Sequence, residues 1–124
     1  MSDESDFLAE LDSEIKATLD QQGGTWPAFI VRALWKHPSG RVRADVYQSI
    51  RIDAEKRGRK IPRTFDQTIQ QSFEKFNSGS DVWDGNPQHD IFSFPQGKGA
   101  GFWGLNLDRA KEWMRANGRT NDLV

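Results

Sequence analysis

The sequence predicts an α+β fold, in which a few short helices pack against a small antiparallel sheet. Two patterns lead to this prediction. Apolar residues recur every three or four positions between residues 25 and 76, which is typical of amphipathic helices. Between residues 90 and 105 the pattern changes to alternation around a glycine-rich segment, which indicates a two-stranded hairpin. At 124 residues, the chain has the length of one small domain.

Capping residues, prolines and glycines bound the predicted elements. Four helices are expected, over residues 25–35, 44–58, 64–76 and 108–116. Their predicted N-caps include Thr25, Thr64 and Asp108. A brief edge strand is expected at residues 41–43, and the hairpin strands at 90–94 and 101–105. The apolar faces predict one shared core, made of Ile30, Leu34, Val46, Ile50, Phe65, Ile69, Phe73, Phe92, Phe94, Trp103 and Leu105, with Ala110, Trp113 and Met114 added by the last helix.

An acidic helix is predicted ahead of this unit, over residues 5–21. It has one apolar stripe, made of Phe7, Leu8, Leu11, Ile15 and Leu19. Residues 1–24 hold seven acidic residues and one lysine, a net charge of −6. We therefore expect three parts: an acidic N-terminal helix over 1–24, the main domain over 25–118, and a frayed tail over 119–124.

The middle of the chain is basic. Residues 41–63 hold eight basic and three acidic residues, a net charge of +5. Five of those basic residues lie within positions 56–63, around Gly58. Because such a dense run rarely serves packing, it favours contact with an anionic partner.

Several classes of function have no support in the sequence. The chain contains no cysteine, and its two histidines, His37 and His89, are isolated, so no catalytic residue, metal site or cofactor is expected. No apolar run is long enough to span a bilayer, and the acidic start is unlike a secretory signal. We expect a cytoplasmic protein that makes no membrane contact.

Four pieces of the sequence, in this order, resemble the winged helix-turn-helix fold. They are an aromatic-led helix (residues 26–35), a stretch around ADVYQSI (43–50), a helix around TFDQTIQQSFEKF (62–76), and a hairpin ending in GFWGL (91–105). The set is similar to winged-helix modules of restriction-endonuclease-type and chromatin-associated proteins. The resemblance implies a three-helix core with a two- or three-stranded hairpin wing, to which this chain adds an N-terminal and a short C-terminal helix.

The resemblance also implies which residues touch DNA. The third helix of such a module enters the major groove, and the wing lies along the backbone. The matching base-reading positions here are Gln67, Gln70 and Gln71. The matching phosphate-binding positions are Arg41, Arg43, Arg59, Lys60, Arg63 and Lys98. Asp66 and Glu74 share the reading face and would repel phosphate.

We therefore expect a non-enzymatic module that binds double-stranded DNA, in a regulator or in a defence or mobile-element context. Two alternatives stay open. The first is a protein-interaction winged helix, whose partner is another protein or a second copy held through the N-terminal helix. The second is a DNA mimic or inhibitor that acts through the acidic N-terminal helix. That helix also suggests autoinhibition, because it would screen the basic region in the free protein.

Overall fold

The computed structural model describes residues 17–37 and 39–123, which form a mixed α+β structure. Within these residues, four helices pack with a small three-stranded antiparallel sheet. The helices are α1 (Trp26–Leu34), α2 (Arg43–Lys56), α3 (Phe65–Lys75) and α4 (Leu107–Ala116). The strands are β1 (Arg41–Val42), β2 (Phe92–Ser93) and β3 (Phe102–Leu105). The predicted α+β class and the predicted order of these elements are confirmed.

The acidic helix predicted over residues 5–21 is described only at its end. Residues 17–21 are helical, and residues 5–16 lie outside the described residues. The helical end leads to Gly23 and Gly24, which are buried and have φ values of 102° and 86°. A Cβ on Gly23 would stand 2.6 Å from the ring of Phe29. Glycine is therefore needed here, because the chain passes directly against α1 in a left-handed conformation.

Helix α1 is the central helix of the domain. All its residues except Trp26 and Arg32 are buried, and it packs against α2, α3 and β3. Pro27 lies in the first turn, where its missing N–H breaks no helical hydrogen bond. Thr25 occupies the N-cap position as predicted, but its side chain makes no capping hydrogen bond.

The sheet has the order β1-β3-β2, so the predicted edge strand β1 pairs with the second strand of the hairpin. In the hairpin, Phe92 lies opposite Leu105. The first strand covers only Phe92–Ser93 and is shorter than the predicted 90–94. At Gly104, a Cβ would lie 2.3 Å from the ring of Pro95, so only glycine allows this close approach within the hairpin.

The core contains the predicted side chains with one exception. Phe94 is half-buried instead of buried, because it lies past the end of the short β2. The ring of Phe73 is stacked between Trp103, at a centroid distance of 3.9 Å, and Phe92, at 5.1 Å. Helix α4 adds Ala110, Trp113 and Met114 as predicted. The larger side chains that are fully buried but absent from the predicted core are those of Phe29, Val31 and Ile91.

Two predictions, one on the start of α4 and one on the C-terminal tail, differ from the structure. Helix α4 begins at Leu107 with Asn106 at the N-cap, so Asp108 lies in the first turn instead of capping it. Within the tail predicted to be frayed, residues 119–123 are ordered: Thr120–Asp122 form a 3₁₀ turn, and Leu123 packs against the core. A carboxylate–arginine contact, described below, holds this tail on α1.

Candidate nucleic-acid interface

The connector between α2 and α3, residues 57–64, carries most of the basic run. Within this connector, Gly58 has a φ of 69°, and the backbone N–H of Arg59 donates to the carbonyl of Ala54 at 2.8 Å. This left-handed turn ends α2 as predicted. The connector then runs past the N-terminal end of α1 to Thr64, which precedes α3 but makes no side-chain capping bond.

Arg59 is held by the protein itself. Its Nη1 donates to the carbonyl of Gly24 at 2.6 Å, and its guanidinium lies 4.6 Å from the centre of the Trp26 ring. Burial, and next the nearby charge of Arg32, lower the pKa of Arg59. The predicted phosphate-binding arginine thus also has a structural role, with one nitrogen already occupied.

Lys60 and Arg63 differ from Arg59, because both side chains are exposed. Within residues 17–37 and 39–123, neither has a side-chain hydrogen bond or an ion pair. Together with Trp26 and Arg59 they line a shallow groove of about 650 Å³, and Ile61 and Pro62 complete its wall. We call this the Trp26 groove.

Arg51 is a basic residue that the predicted site omitted. It lies on α2, with its guanidinium 4.2 Å from the centre of the Phe65 ring at the start of α3. Its Nη2 is 3.3 Å from the Asp66 carboxylate, and both side chains are largely exposed. Because side chains of α2 reach the start of α3 only in the folded chain, sequence spacing gave no sign that Arg51 joins this end of α3.

The predicted reading face of α3 is mostly available. Gln67 and Gln71 are exposed, whereas Gln70 is half-buried and donates to the Glu74 carboxylate at 3.3 Å. The other carboxylate on this face, Asp66, is the one paired with Arg51. The repulsion expected from Asp66 is therefore partly offset, although an exposed ion pair contributes little free energy.

Arg41 and Arg43 do not join the Trp26 groove. Arg41 donates through Nη1 to the carbonyl of Ala33 at 3.0 Å and to the Ser49 hydroxyl at 2.8 Å, so it bridges α1 and α2. Arg43 is exposed, and its backbone N–H donates to the carbonyl of Gly101, where the hairpin tip joins β3. The structure thus assigns these two predicted residues to separate places.

Lys98 at the hairpin tip is paired with a carboxylate. Its ammonium contacts Asp81, and both side chains are more than half exposed. Since Lys98 is the only charged residue within 95–101, this contact offsets the positive charge of the tip. The predicted phosphate contact of Lys98 would require this surface pair to open.

A second group of arginines, which the sequence did not indicate, is matched by carboxylates. We call it the paired cluster, made of Arg32, Asp53, Arg57, Arg119 and Asp122. Arg32 and Arg57 each donate through Nε to Asp53 at 2.7 Å, and Arg32 and Arg119 both contact Asp122, at 3.0 and 2.7 Å. Arg32 also donates to the carbonyl of Gly23 at 2.9 Å. The cluster therefore ties residues 23 and 122 to α1 and α2.

The pKa values within the paired cluster follow from these contacts. Burial lowers the pKa of Arg32, although Asp53 works against that effect. Burial alone would raise the pKa of Asp53, but hydrogen bonds from Arg32 and Arg57 outweigh it and hold that pKa below its ordinary value. Both groups are charged at neutral pH, as a structural ion pair requires.

The two histidines lie apart. His37 is exposed near the end of α1, and His89 lies in the loop between α3 and β2. The His89 Nδ1 is 2.6 Å from the Asp84 carboxylate, and its ring stacks on Phe76 at 4.3 Å. This arrangement orders a loop. Among the described residues, no three histidine or acidic side chains come together in a way that could hold a metal ion.

Comparison with models of protein families, with curated proteins and with solved structures finds no match to this chain. None of the described helices has both the length and the apolar character needed to cross a bilayer.

Proposed function

We propose that this chain is a winged-helix module that binds double-stranded DNA and performs no catalysis. In this proposal, α3 enters the major groove and the hairpin tip, residues 95–101, lies against the neighbouring backbone. Support for the fold comes from the element order α1-β1-α2-α3-β2-β3 and from the pairing of β1 with the hairpin. These are the elements that a three-helix core with a hairpin wing requires.

The observation that carries the DNA proposal is the charge at the start of α3. Lys60 and Arg63 are exposed there without a partner among the described residues, and Arg51 lies over the ring of Phe65, the first residue of α3. This is the end of the helix whose residues contact base edges in helix-turn-helix complexes. Cations at that end would bind phosphates on either side of the groove and fix the register of the helix.

The contacts within the protein change the expected salt dependence. Arg41 and Lys98 are engaged elsewhere, and Arg59 has one nitrogen occupied. Arg51 is paired with Asp66, so the cations left for phosphate are Arg43, Lys60 and Arg63. With three phosphate contacts, the logarithm of the binding constant should fall against the logarithm of salt concentration with a slope of about −2.7.

The test is a fluorescence anisotropy titration of a labelled duplex between about 50 and 200 mM salt. The variant K60E/R63E should bind at least about tenfold more weakly than the wild type. The matched control K36E/K111E has the same net charge, changes two exposed lysines elsewhere, and should bind nearly as the wild type does. A dissociation constant weaker than about 10⁻⁴ M at low salt, or equal losses in both variants, would overturn the proposal.

A further inference from the structure

The Trp26 groove differs in charge from four other concavities of the described chain. Its lining contains three cations, Arg59, Lys60 and Arg63, and no carboxylate. Each of the other four concavities has at least one acidic side chain in its lining. Examples are Glu112 in the concavity along α4 and Asp53 in the concavity between α1 and α2. Positive charge in this groove is therefore not balanced from within it.

The floor of the groove is a rigid planar surface. The Trp26 ring packs against Phe29 at a centroid distance of 5.0 Å and edge-on against Phe65 at 5.9 Å. The guanidinium of Arg59 lies over Trp26 and is fixed by its bond to Gly24. Because these groups are already ordered, a flat ligand that stacks on them loses little additional side-chain entropy in the protein.

The combination of exposed cations with an ordered arginine and tryptophan indicates the chemistry of the ligand. Exposed cations such as Lys60 and Arg63 suit a phosphate, and arginine planes and aromatic rings suit an unpaired base. The volume of about 650 Å³ lies within the range of small-molecule pockets. A paired base inside a duplex cannot reach such a floor, because both of its faces are already stacked.

We propose that the Trp26 groove binds one unpaired nucleotide, with its base stacked on the Arg59 guanidinium, which Trp26 supports from beneath, and its phosphate held by Lys60 and Arg63. This inference rests on the proposed DNA-binding function and extends it to DNA ends or openings. The groove borders the start of α3, so a strand leaving the duplex at that point would enter it. A free mononucleotide shares the same chemistry and is the other source of such a ligand.

The experiment compares four probes by anisotropy or competition: a short blunt duplex, the same duplex with a few unpaired thymidines, a thymidine single strand, and a thymidine mononucleotide. The wild type should bind the overhang duplex about fivefold more tightly than the blunt one, since stacking of one base gives a gain of at least this size. The variant W26L should lose the gain. The control W35L, which changes a half-buried tryptophan outside the groove, should keep it.

A second variant guards against loss of folding in W26L. In the double variant K60A/R63A, the affinity for the overhang duplex should no longer exceed the affinity for the blunt duplex. This result is expected whatever the affinity for the blunt duplex becomes. Equal affinity of the wild type for both duplexes overturns the groove proposal, while tight blunt-duplex binding still supports the proposed function. Binding of the single strand but of neither duplex supports the groove and overturns the duplex proposal. Binding of the mononucleotide as tightly as the overhang would identify the free nucleotide as the ligand.

Discussion

Arg57 and Arg59 are two positions apart in the same basic run, yet they belong to regions of opposite character. Arg57 donates to Asp53 in the paired cluster, where each arginine meets a carboxylate. Arg59 lies over Trp26, beside Lys60 and Arg63, where the groove contains no carboxylate. The comparison shows that a basic run is not one surface. Part of its charge is paired with a carboxylate of the same domain, and part is left unmatched toward solvent.

The largest effect should come from breaking the paired cluster. Replacing Asp53 by alanine leaves the mostly buried Arg32 with one carboxylate instead of two and leaves Arg57 without its partner. We expect the free energy of unfolding to fall by about 2–3 kcal/mol, measured by urea titration, with the chain still able to bind duplex DNA when folded.

The control is Glu55→Ala, an exposed carboxylate on the same helix, which should change stability by less than about 0.5 kcal/mol. Equal stability of the two variants would contradict the structural role of Asp53. The pH dependence gives a second measurement, because the pKa of Asp53 is lowered in the folded state. Such a carboxyl contributes stability above its unfolded pKa of about 3.9, and this contribution is lost as pH falls through the folded value. On acidification, the free energy of unfolding should therefore decrease less in Asp53→Asn than in the wild type.

A smaller effect is expected from the acidic N-terminus. Removing residues 1–16 deletes six acidic residues and one lysine, and keeps the carbonyls of Gly23 and Gly24 that accept from Arg32 and Arg59. A deletion of residues 1–24 would remove those acceptors and is not a clean test. If the acidic segment screens the Trp26 groove and the start of α3, duplex affinity at low salt should rise about threefold or more, and less at high salt.

The matched control for this truncation keeps the length and removes the charge. In it, Asp3, Glu4, Asp6, Glu10, Asp12 and Glu14 are replaced by their amides. This variant should show the same rise in affinity. An unchanged affinity in both variants would reject autoinhibition by charge.

The smallest effect is expected at the hairpin tip. Asp81→Asn removes the carboxylate that contacts Lys98 and leaves this cation free for phosphate. Because the pair is exposed, duplex affinity should rise by only about twofold. The control Glu112→Gln removes an exposed ion pair with Arg115 on α4 and should leave the affinity unchanged. The same anisotropy titration measures both variants. If Asp81→Asn binds the duplex no more tightly than the wild type does, the hairpin tip is not part of the interface.

Much of the fold was predictable from local pattern. The spacing of Phe65, Ile69 and Phe73 predicted a helix with one buried face, and all three are buried. The glycines between residues 97 and 101 predicted the hairpin turn, because left-handed backbone favours glycine. The errors lie where local signals compete. Asn106 and Asp108 are both good capping residues, and the helix begins after Asn106, whose backbone N–H donates to the carbonyl of Ile91 at 2.8 Å.

The candidate site was predictable only in part, because side-chain partners come from distant segments. Lys60 and Arg63 were predicted from the winged-helix resemblance together with the density of the basic run, and both are exposed. Arg41, in contrast, was predicted to bind phosphate and bridges Ala33 and Ser49 instead. Trp26 was predicted only as the aromatic residue that leads a helix, since nothing in its neighbourhood along the chain indicates that Arg59 will cover it.

Local sequence was enough to predict the helices, the hairpin and the excess of positive charge after residue 25, because these depend on periodicity, turn chemistry and composition. Which arginines are matched depends instead on contacts between distant segments. Asp122 lies 90 positions from Arg32 along the chain, and the packing of the C-terminal 3₁₀ turn brings it to within 3.0 Å. Ion pairing acts over a few ångströms of space, whatever the distance along the chain. The unmatched charge of the Trp26 groove is what remains after those pairs have formed.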